Sequence, residues 1–325
     1  MSPPTAVATV DSEHVGDLEV IARAQVAHDV VSLVLAAPDG SDLPAWTPGA
    51  HIDLLLTSEL TRQYSLCGSP ANPTAWRIGV LRDLASRGGS QHLHEELTPG
   101  ARVRVRGPRN NFPLLAAPAY IFLAGGIGIT PMLPMIAAAE AAGARWTLFY
   151  AGRARASMAF LDDLASYGER VVVRPENENG MLDLDEILGQ PQAGALVYAC
   201  GPEGMLRAVE RRCAAWPAGS LHVERFAARP ADAAAAVTSF EVVCQRSGIT
   251  VTVPADRSIL EVLQEAGVSA LSCCLEGLCG TCETAVVEGE PEHRDSLLSV
   301  EEKASSDCMM ICVSRSRGPR LVLDL

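Results

Sequence analysis

The sequence has too little positive charge to favour a nucleic-acid partner. It holds 26 Lys and Arg residues against 39 Asp and Glu residues, a formal net charge of -13, whereas nucleic-acid-binding surfaces concentrate basic side chains. The acidic excess continues in 238–325, where 14 acidic and 7 basic residues leave a net charge of -7. Such a surface either steers a basic partner protein or simply faces solvent, and both interpretations stay open at this point.

The sequence also lacks internal repeats, heptad runs and a clear membrane span. Residues 112–139 carry no charge and are long enough to cross a bilayer as one helix, but Pro113, Pro118, Pro131 and Pro134 divide them into shorter elements. Nothing at the N-terminus resembles a secretory signal. We therefore predict a soluble, cytoplasmic protein, which we also expect to be a monomer.

Side-chain sets that carry out hydrolysis are missing as well. There is no Ser-His-Asp candidate and no HExxH motif. His92 and His94 are better interpreted as surface or helix-start residues than as metal ligands.

What the sequence does contain is an ordered set of cysteines. Cys274, Cys279 and Cys282 have the spacing C-x4-C-x2-C, and Cys312 follows after 29 intervening residues. This spacing is the plant-type pattern for the ligands of a [2Fe-2S] cluster. Three cysteines on one tight loop can reach two bridged irons only if the backbone turns sharply between them, and the glycines of this loop permit such turns. The pattern predicts a redox centre.

Zinc, disulfides and other choices of cysteine fit this pattern less well. A four-cysteine zinc site usually has two CxxC pairs, and this chain has one. Using Cys273 would lengthen the first gap to five residues and using Cys308 would shorten the last gap, whereas Gly277 and Gly280 stand where the loop must turn. The cysteines outside the pattern are expected to be reduced thiols. They are Cys67, Cys200, Cys213, Cys244, Cys273 and Cys308.

Hydrophobic patterning predicts three structural regions after a mobile tail at 1–17. Short apolar runs between Pro/Gly turns predict a small antiparallel β-barrel in 18–114. Strands that alternate with helices predict an α/β domain with a parallel sheet in 115–227. A linker without bulky apolar residues, 228–237, leads into a compact α+β domain at 238–325.

The elements predicted within these regions are as follows. The barrel strands are 18–24, 30–36, 51–56, 62–66, 77–82 and 101–106. The α/β region has strands at 120–124, 146–151, 170–174, 195–199 and 221–225, and helices at 131–142, 156–166, 183–188 and 203–215. In the last region, strands 239–244 and 249–253 form a hairpin around Ser247-Gly248, and a helix at 259–266 begins with a capping box of Ser258 and Glu261.

Several short motifs carry groups that bind phosphates or aromatic rings. Arg62-Gln63-Tyr64-Ser65 presents a cation, an aromatic ring and a hydroxyl at a strand end, although such residues also occur on strands that bind nothing. Arg87-Gly88-Gly89-Ser90 precedes a short helix, where bare backbone amides bind phosphate. The glycine-rich stretch 124–132 and the stretch 200–205 both follow strands and open helices, so a parallel sheet would direct both into one crevice.

In this order, these motifs and the cysteine loop resemble those of the phthalate dioxygenase reductase family, within the ferredoxin-NADP reductase superfamily. The resemblance extends over almost all of the chain after the tail. It implies a β-barrel that holds FMN, an α/β domain that binds NADH, and a fused β-grasp, plant-type ferredoxin domain with a [2Fe-2S] cluster. FMN rather than FAD rests on this resemblance, because the phosphate loop would serve either flavin.

The resemblance also assigns roles to individual residues. Ser65, near the reactive flavin nitrogen, and Cys200, beside the nicotinamide ring, would take part in the reaction. Flavin contacts would come from Arg62, Gln63, Tyr64, Ser65, Val80, Leu81, Arg82, Gly88, Gly89 and Ser90. Nicotinamide-nucleotide contacts would come from Gly125, Gly126, Gly128, Thr130, Pro131, Arg153, Cys200, Gly201, Pro202 and Met205. Phe226 would cover the flavin, and Cys274, Cys279, Cys282 and Cys312 would hold the cluster.

Some of these assignments have alternatives. Leu81 stands where family members tend to have a basic residue, so Arg82 would have to replace that flavin contact. Arg153 and Arg155 lie near the expected adenosine ribose, where an arginine can accept a 2′-phosphate, so NADPH stays open beside NADH. Phe226 has simple core packing as its alternative, and Cys200 would otherwise be a buried thiol.

The resemblance implies the reductase component of a two-component, Rieske-type oxygenase or demethylase. A hydride would pass from NADH to FMN, and single electrons would leave through the cluster to the terminal oxygenase. A haem monooxygenase is the alternative acceptor. An alternative of another class is a ferredoxin-like electron carrier or binding module with vestigial nucleotide sites, which the intact glycines in both nucleotide loops disfavour.

Overall fold

The computed structural model of the chain describes residues 14–57, 60–83, 88–227 and 238–325. They form two compact units. The first comprises the described part of Met1–Leu182 together with Gln192–Val197, and the second comprises Asp183–Pro191 together with the described part of Tyr198–Leu325. The predicted linker at 228–237 and positions 1–13 of the predicted tail lie outside the described residues.

Six antiparallel strands form a β-barrel in the first unit. They are β1 (Val15–Ala27), β2 (Val30–Ala36), β3 (His51–Leu55), β4 (Thr61–Ser65), β5 (Ala75–Leu81) and β6 (Arg102–Arg109), with helix α1 (Gly89–Glu96) between β5 and β6 in the chain. The sheet order is β4-β3-β6-β1-β2-β5, and a bridge between Leu66 and Ile78 joins the end of β4 to β5. All six predicted strands are confirmed.

The barrel interior is filled by side chains that alternate along these strands. Leu33, Ile52, Trp76 and Val105 are buried there, as the two-residue period of a half-buried strand requires. The predicted start of β1 at position 18 is wrong by three residues. The strand begins at Val15 because its first residues pair with β6, a contact that the local pattern does not reveal.

A parallel sheet follows the barrel. Its elements are β7 (Ala119–Gly125), α2 (Ile129–Ala141), β8 (Arg145–Gly152), α3 (Leu161–Leu164), β9 (Val171–Pro175), α4 (Glu176–Asn179), α5 (Leu184–Leu188), β10 (Ala195–Cys200), α6 (Glu203–Arg212) and β11 (Leu221–Glu224). The strand order is β11-β10-β7-β8-β9. The charge-free stretch 112–139 forms β7 and α2, as predicted, and none of the helices within the described ranges has the length and apolar character of a membrane span.

The continuous helix predicted at 156–166 is wrong. The chain forms a short 3-10 turn, Arg155–Ser157, then α3, then a second 3-10 segment, Ala165–Arg170. Phe160 interrupts the run because it takes the left-handed conformation (φ 61°), which is rare for a bulky residue. Its ring is buried, and a Cβ added to Gly79 of β5 would lie 2.9 Å from it. A contact with the barrel therefore overrides helix propensity here.

The C-terminal region of the second unit is a β-grasp domain. It contains β12 (Phe240–Cys244), β13 (Thr250–Val253), α7 (Ile259–Glu265), β14 (Glu283–Glu288), β15 (Pro291–Glu292), α8 (Val300–Ser305), β16 (Cys308–Met310), β17 (Arg315–Ser316) and β18 (Arg320–Leu323). The main sheet has the order β13-β12-β18-β14-β16, with β12 and β18 parallel. Leu260 and Leu263 of α7 pack into the core.

The predicted hairpin and helix of this domain are confirmed. Strands β12 and β13 pair around the turn at Gly248, and α7 begins with a capping box in which Ser258 and Glu261 bond reciprocally. The later strands and α8 were not predicted. Helix α8 carries its own capping box of Ser299 and Glu302, a sequence signature that would have revealed it.

A buried arginine connects three segments of the β-grasp domain. The Arg315 guanidinium donates hydrogen bonds to the carbonyl oxygens of Arg257 (2.6 Å), Pro254 (2.8 Å) and Thr238 (3.1 Å). It also lies 5.0 Å from the centre of the Phe240 ring. Burial lowers the pKa of Arg315. A buried cation without hydrogen-bond partners is strongly destabilising. The three carbonyl contacts therefore stabilise the charge of Arg315 and hold these segments together.

We expect the Arg315→Ala variant to destabilise this domain by about 3 kcal/mol, because it removes a hydrogen-bonded buried cation and strands three carbonyl groups. Guanidinium unfolding of the full-length protein, followed by near-UV circular dichroism, measures the loss. Arg317→Ala is the matched control, since the Arg317 side chain is 61% exposed beside Glu290 and should have a much smaller effect. Equal losses in the two variants would contradict the role of Arg315.

Candidate functional site

The four predicted cluster ligands lie on two segments of the β-grasp domain. Cys274, Cys279 and Cys282 are on the loop between α7 and β14, and Cys312 is on the turn that follows β16. All four are buried, and Cys282 and Cys312 belong to the hydrophobic core of the domain. The fold thus brings the remote fourth cysteine to the loop, as the spacing predicted.

Backbone conformation gives this loop its sharp turns. Gly277 and Gly280 have φ values of 67° and 76°, in the left-handed region that favours glycine. A Cβ on Gly277 would lie 2.6 Å from Val313 Cγ2 and 3.0 Å from Asp295 Cα. In addition, the Ser296 N–H donates to the Gly277 carbonyl at 3.0 Å. The loop is therefore held against the segment after β15.

Backbone amides of the loop point at its sulfur atoms. The Cys274 Sγ accepts from the N–H groups of Glu276 (3.3 Å) and Leu278 (3.5 Å), and the Cys279 Sγ accepts from the Thr281 N–H at 3.4 Å. Hydrogen bonds to sulfur stabilise the thiolate, which is the form that binds metal. The donors present in the loop therefore fit a thiolate-ligated [2Fe-2S] cluster.

The cysteines also change one another's ionisation. The pKa of Cys312 is raised, first by a hydrogen bond with Cys274 and next by one with Cys282. Contacts with Cys273 and Cys274 lower the pKa of Cys279. Thiolates this close repel one another, so they can all be ionised only around positive charge. Iron supplies that charge in a cluster.

The two alternative cysteines lie in different surroundings. Cys273 contacts Cys279, next to the ligand set. Cys308 is on β16, where burial raises its pKa to about 11 and the Glu283 carboxylate adds to the effect. All ten cysteines are free thiols, so none forms a disulfide in the described structure.

The barrel brings two predicted flavin motifs together. Arg62 of β4 lies against the start of α1, where a Cβ on Gly89 would be 2.8 Å from Arg62 Cγ. Gly88 caps α1 in the left-handed conformation (φ 88°) without a side-chain hydrogen bond to the helix. The Ser90 hydroxyl bonds the backbone of Asp83. A guanidinium beside bare helix-start amides fits a phosphate group. Arg87 lies outside the described residues.

The other residues of the strand motif have distinct environments. Gln63 donates to Asp53 Oδ1 at 2.9 Å, so its side-chain amide is engaged on the strand face opposite Arg62 and Tyr64. Tyr64 packs against the barrel core, and burial raises its pKa. Ser65 is buried at the end of β4. Cofactor contact by Gln63 would thus have to use its backbone.

The predicted ring-lining segment ends β5. Val80 is buried and Leu81 is 38% exposed. Arg82 pairs with Glu95 at 3.2 Å, so its guanidinium is engaged by a carboxylate. Leu81 therefore presents an apolar side chain at the end of β5.

Strand β5 also meets the glycine-rich loop of the first unit. Gly79 is the residue before Val80, and a Cβ added to it would lie 2.8 Å from Thr130 Cγ2. The Thr130 hydroxyl donates to the Ile127 carbonyl at 3.0 Å. Thr130 was predicted to lie where flavin and nicotinamide meet, and the structure places it against β5, the strand that carries Val80 and Leu81, which are predicted to line the flavin ring.

The loop itself fits a dinucleotide. Gly125 ends β7, Gly126 has φ 55°, and Gly128 precedes α2 without a side-chain cap. Pro131 is in the first turn of α2, where its missing N–H is tolerated. A 3-10 turn, Gly126–Gly128, leads directly into this 13-residue helix, and the N-terminal end of the helix dipole favours phosphate. Arg153 follows the end of β8 and is exposed.

In the second unit, the remaining nicotinamide residues follow β10. Cys200 is fully buried, and burial raises its pKa; its Sγ lies 3.9 Å from Glu224 Oε2. Gly201 and Pro202 lead into α6, with Met205 in its first turn. Phe226 is 43% exposed, which disfavours simple core packing.

Two groups were missed from the sequence. Asp53 is fully buried and accepts hydrogen bonds from Gln63, Arg106 and Arg109, which lower its pKa despite burial. Phe160 packs on Gly79. Neither has a local signal, because an acidic residue in a strand and an aromatic in a helix-like run are ordinary patterns.

Two protein-family models match this chain, one over the cysteine-bearing β-grasp domain and one over the parallel-sheet region. Residues 242–317 match the 2Fe-2S iron-sulfur cluster binding domain, and residues 122–211 match the oxidoreductase NAD-binding domain.

Whole-chain relatives give the same result. Phenoxybenzoate dioxygenase subunit beta of Ectopseudomonas oleovorans is 44% identical over 310 residues, covering 95% of this chain and 97% of the relative. An intact type IV self-sufficient cytochrome P450 monooxygenase is 42% identical with a TM-score of 0.89; all of this chain matches 43% of that longer chain.

A third comparison identifies the architecture. The solved phthalate dioxygenase reductase, described as a modular structure for electron transfer from pyridine nucleotides to [2Fe-2S], superposes with a TM-score of 0.71 and 36% identity, over 97% of this chain and 98% of that one. The barrel, the parallel sheet and the cysteine-bearing β-grasp domain occur here as in that protein. This chain therefore belongs to the phthalate dioxygenase reductase family of flavin- and iron–sulfur-dependent oxidoreductases.

Proposed function

We propose that this chain is the reductase component of a two-component, Rieske-type oxygenase or demethylase, taking a hydride from NADH and delivering single electrons to the terminal oxygenase. The observation that carries the proposal is the approach of Cys312 to Cys274 and Cys282 of the loop that also carries Cys279, with amides aimed at the sulfurs of Cys274 and Cys279. In the same chain, one helix start without a side-chain cap lies beside Arg62, and a second, glycine-rich one begins α2. A carrier with vestigial nucleotide sites would not need them.

The cofactors of the family are FMN, NADH and the [2Fe-2S] cluster. When bound, FMN converts a two-electron hydride delivery into single electrons that the cluster can carry. The four ligand residues would hold the cluster, and Arg62, Gly88 and Gly89 would bind the flavin phosphate. Val80 and Leu81 would line the ring and exclude water, while Ser65 would orient the reactive edge.

The nicotinamide nucleotide would lie on the loop before α2, with Thr130 and Cys200 at the ring. Arg153 would face the adenosine ribose, and the exposed side chains of Arg153 and Arg155 leave room for a 2′-phosphate. We propose NADH as the donor on family grounds. Parallel titrations with NADH and NADPH, combined with mass spectrometry of the released flavin, test both cofactor assignments.

The proposed domains are an FMN-binding barrel at 18–114, an NAD-binding domain at 115–227, a linker at 228–237 and a ferredoxin domain at 238–325. We further propose a monomeric, cytoplasmic protein; the absence of disulfides among its ten cysteines, all of which lie within the described ranges, is in keeping with a reducing compartment.

The acceptor is proposed to be a protein with a basic docking surface. In 238–325 the 14 acidic residues outnumber the 7 basic ones, and six of those seven form ion pairs within the domain. Beside the ligand Cys274, Leu271 and Leu275 are 75% and 50% exposed. Two exposed apolar side chains on a domain of net negative charge fit a partner of opposite charge.

A haem monooxygenase is a second candidate acceptor. The supporting observation is the likeness of the whole chain to part of a self-sufficient cytochrome P450 monooxygenase. Reconstitution with a purified Rieske oxygenase and with a purified P450 distinguishes the two, since the natural partner should support substrate turnover at a lower reductase concentration.

We expect Cys312→Ser to abolish the cluster absorbance and to slow NADH-dependent cytochrome c reduction by about 100-fold, because one iron loses a thiolate ligand. Reduction of the flavin by NADH should remain, measured by anaerobic stopped-flow absorbance. Cys308→Ser, a nearby cysteine outside the ligand set, is the matched control and should keep both signals. Loss of flavin reduction in Cys312→Ser would contradict the proposal that the cluster site and the flavin site function independently.

Leu275 gives a test of partner docking. It has φ 59°, a conformation that Asn adopts more easily than Leu, so Leu275→Asn should preserve the loop and the cluster spectrum. We expect the KM for cytochrome c, a basic one-electron acceptor, to rise about fivefold, with the NADH–ferricyanide rate unchanged.

Val287→Thr is the control for this experiment. Val287 is also 50% exposed but lies toward the far end of β14, roughly 16 Å from Cys282 at strand spacing. If the KM for cytochrome c were the same in both variants and in wild type, Leu275 would not be part of the docking surface.

A further inference from the structure

We propose that Arg77 is a positioning residue for hydride transfer: it connects the segment after β4 and the first half of β5 to residues 155–163 of the nucleotide-binding region, and so sets the separation of the reacting rings. The inference deepens the proposed function and rests on it. All of the contacts that support it lie within the first unit.

The Arg77 side chain contacts two segments at once, the one after β4 and residues 155–163. Its Nε and one terminal nitrogen donate to the Cys67 carbonyl at 3.3 and 2.8 Å, and the other terminal nitrogen donates to Asp163 Oδ1 at 2.9 Å. The guanidinium carbon is 5.2 Å from the centre of the Phe160 ring. The planar guanidinium bonds a carbonyl and a carboxylate and also stacks on a ring. Lysine cannot make this set of contacts, because its ammonium group is not planar.

These contacts join the parts of the barrel that face the flavin. Cys67 is two residues beyond Ser65, and Arg77 is three residues before Val80. The backbone also links them, because the Cys67 N–H donates to the Arg77 carbonyl at 2.8 Å. A change in the position of Arg77 would therefore move the segment after β4 and the first half of β5, and with it the strand that ends at Val80 and Leu81.

The opposite side of the clamp is the 155–163 segment. Phe160 is buried in a left-handed conformation, and its ring would lie 2.9 Å from a Cβ on Gly79. Holding a bulky residue at positive φ takes tertiary support, and such conformations concentrate at functional positions. A second connection comes from the turn between β1 and β2, where the His28 N–H donates to the Ala156 carbonyl at 2.7 Å.

The same segment begins next to the proposed adenosine-binding residue Arg153. Residues 153–163 therefore extend from the coenzyme side of the region to the flavin strand, and Thr130 touches that strand at Gly79. Hydride transfer depends steeply on the separation of donor and acceptor, and misplacement by about 1 Å lowers rates by about 100-fold. Arg77 fixes this separation without contacting either ring.

The test compares Arg77→Ala and Arg77→Lys with wild type in the full-length protein. The limiting rate of flavin reduction by NADH should fall about 10- to 100-fold in Arg77→Ala, while the NADH dissociation constant and the flavin content change less than twofold. The charge-transfer absorbance between reduced flavin and NAD⁺ should weaken in parallel. Arg77→Lys should regain thermal stability but not the reduction rate.

A readout that needs no cofactor completes the test. Hydrogen–deuterium exchange of flavin-free protein should accelerate in 155–163 and at the end of β5 when Arg77 is replaced, because the clamp is lost. Arg102→Ala is the matched control: this arginine is 66% exposed on the same barrel, near Glu19, and should leave exchange and rates unchanged.

Two outcomes would overturn the role of Arg77. One is an unchanged limiting rate in Arg77→Ala. The other is a Lys variant that recovers rate and stability together, which would indicate a structural role only. A wild-type protein whose flavin is not reduced by either nicotinamide would instead contradict the proposed function itself, before any variant is compared.

Discussion

Four thiols held close together cannot all ionise unless positive charge lies among them. The β-grasp domain creates this situation by folding Cys312 onto the loop that carries Cys274, Cys279 and Cys282. Amides directed at the sulfurs stabilise the anionic form, and the lack of space at Gly277 fixes the path of the loop. A cluster of bridged irons meets the demand for positive charge, and the spacing of the four cysteines is what distinguishes a redox-active [2Fe-2S] site from a zinc site.

The first unit depends on a different constraint, namely close packing between the β-barrel and the parallel-sheet region. Gly79 has no side chain, and this absence allows Thr130 and Phe160 to touch β5. The price is a strained backbone at Phe160, which the surrounding contacts sustain. Catalysis by positioning requires such fixed contacts, because the cofactors supply the chemistry and the protein supplies the geometry.

Charge distribution adds a third level of organisation. The basic residues of the β-grasp domain are almost entirely used in internal contacts, as the ion pair of Arg246 with Asp324 and the carbonyl contacts of Arg315 illustrate. Carboxylates therefore dominate what an approaching protein meets. The barrel uses charge internally instead, where the buried Asp53 of β3 binds Arg106 and Arg109 of β6.

The sequence by itself determined the six barrel strands, the parallel sheet, the ferredoxin region and the cysteine pattern, because strand alternation, glycine turns and ligand spacing are local signals. Tertiary structure alone decided the break at Phe160, the early start of β1 at Val15, and the engagement of Gln63 by Asp53. Each depends on a partner distant in the chain. Phe160 packs on Gly79, and β1 pairs with β6. Asp53, which engages Gln63, is held by Arg106 and Arg109. Local propensity cannot encode such partners, because their contact energies arise only after the strands have paired.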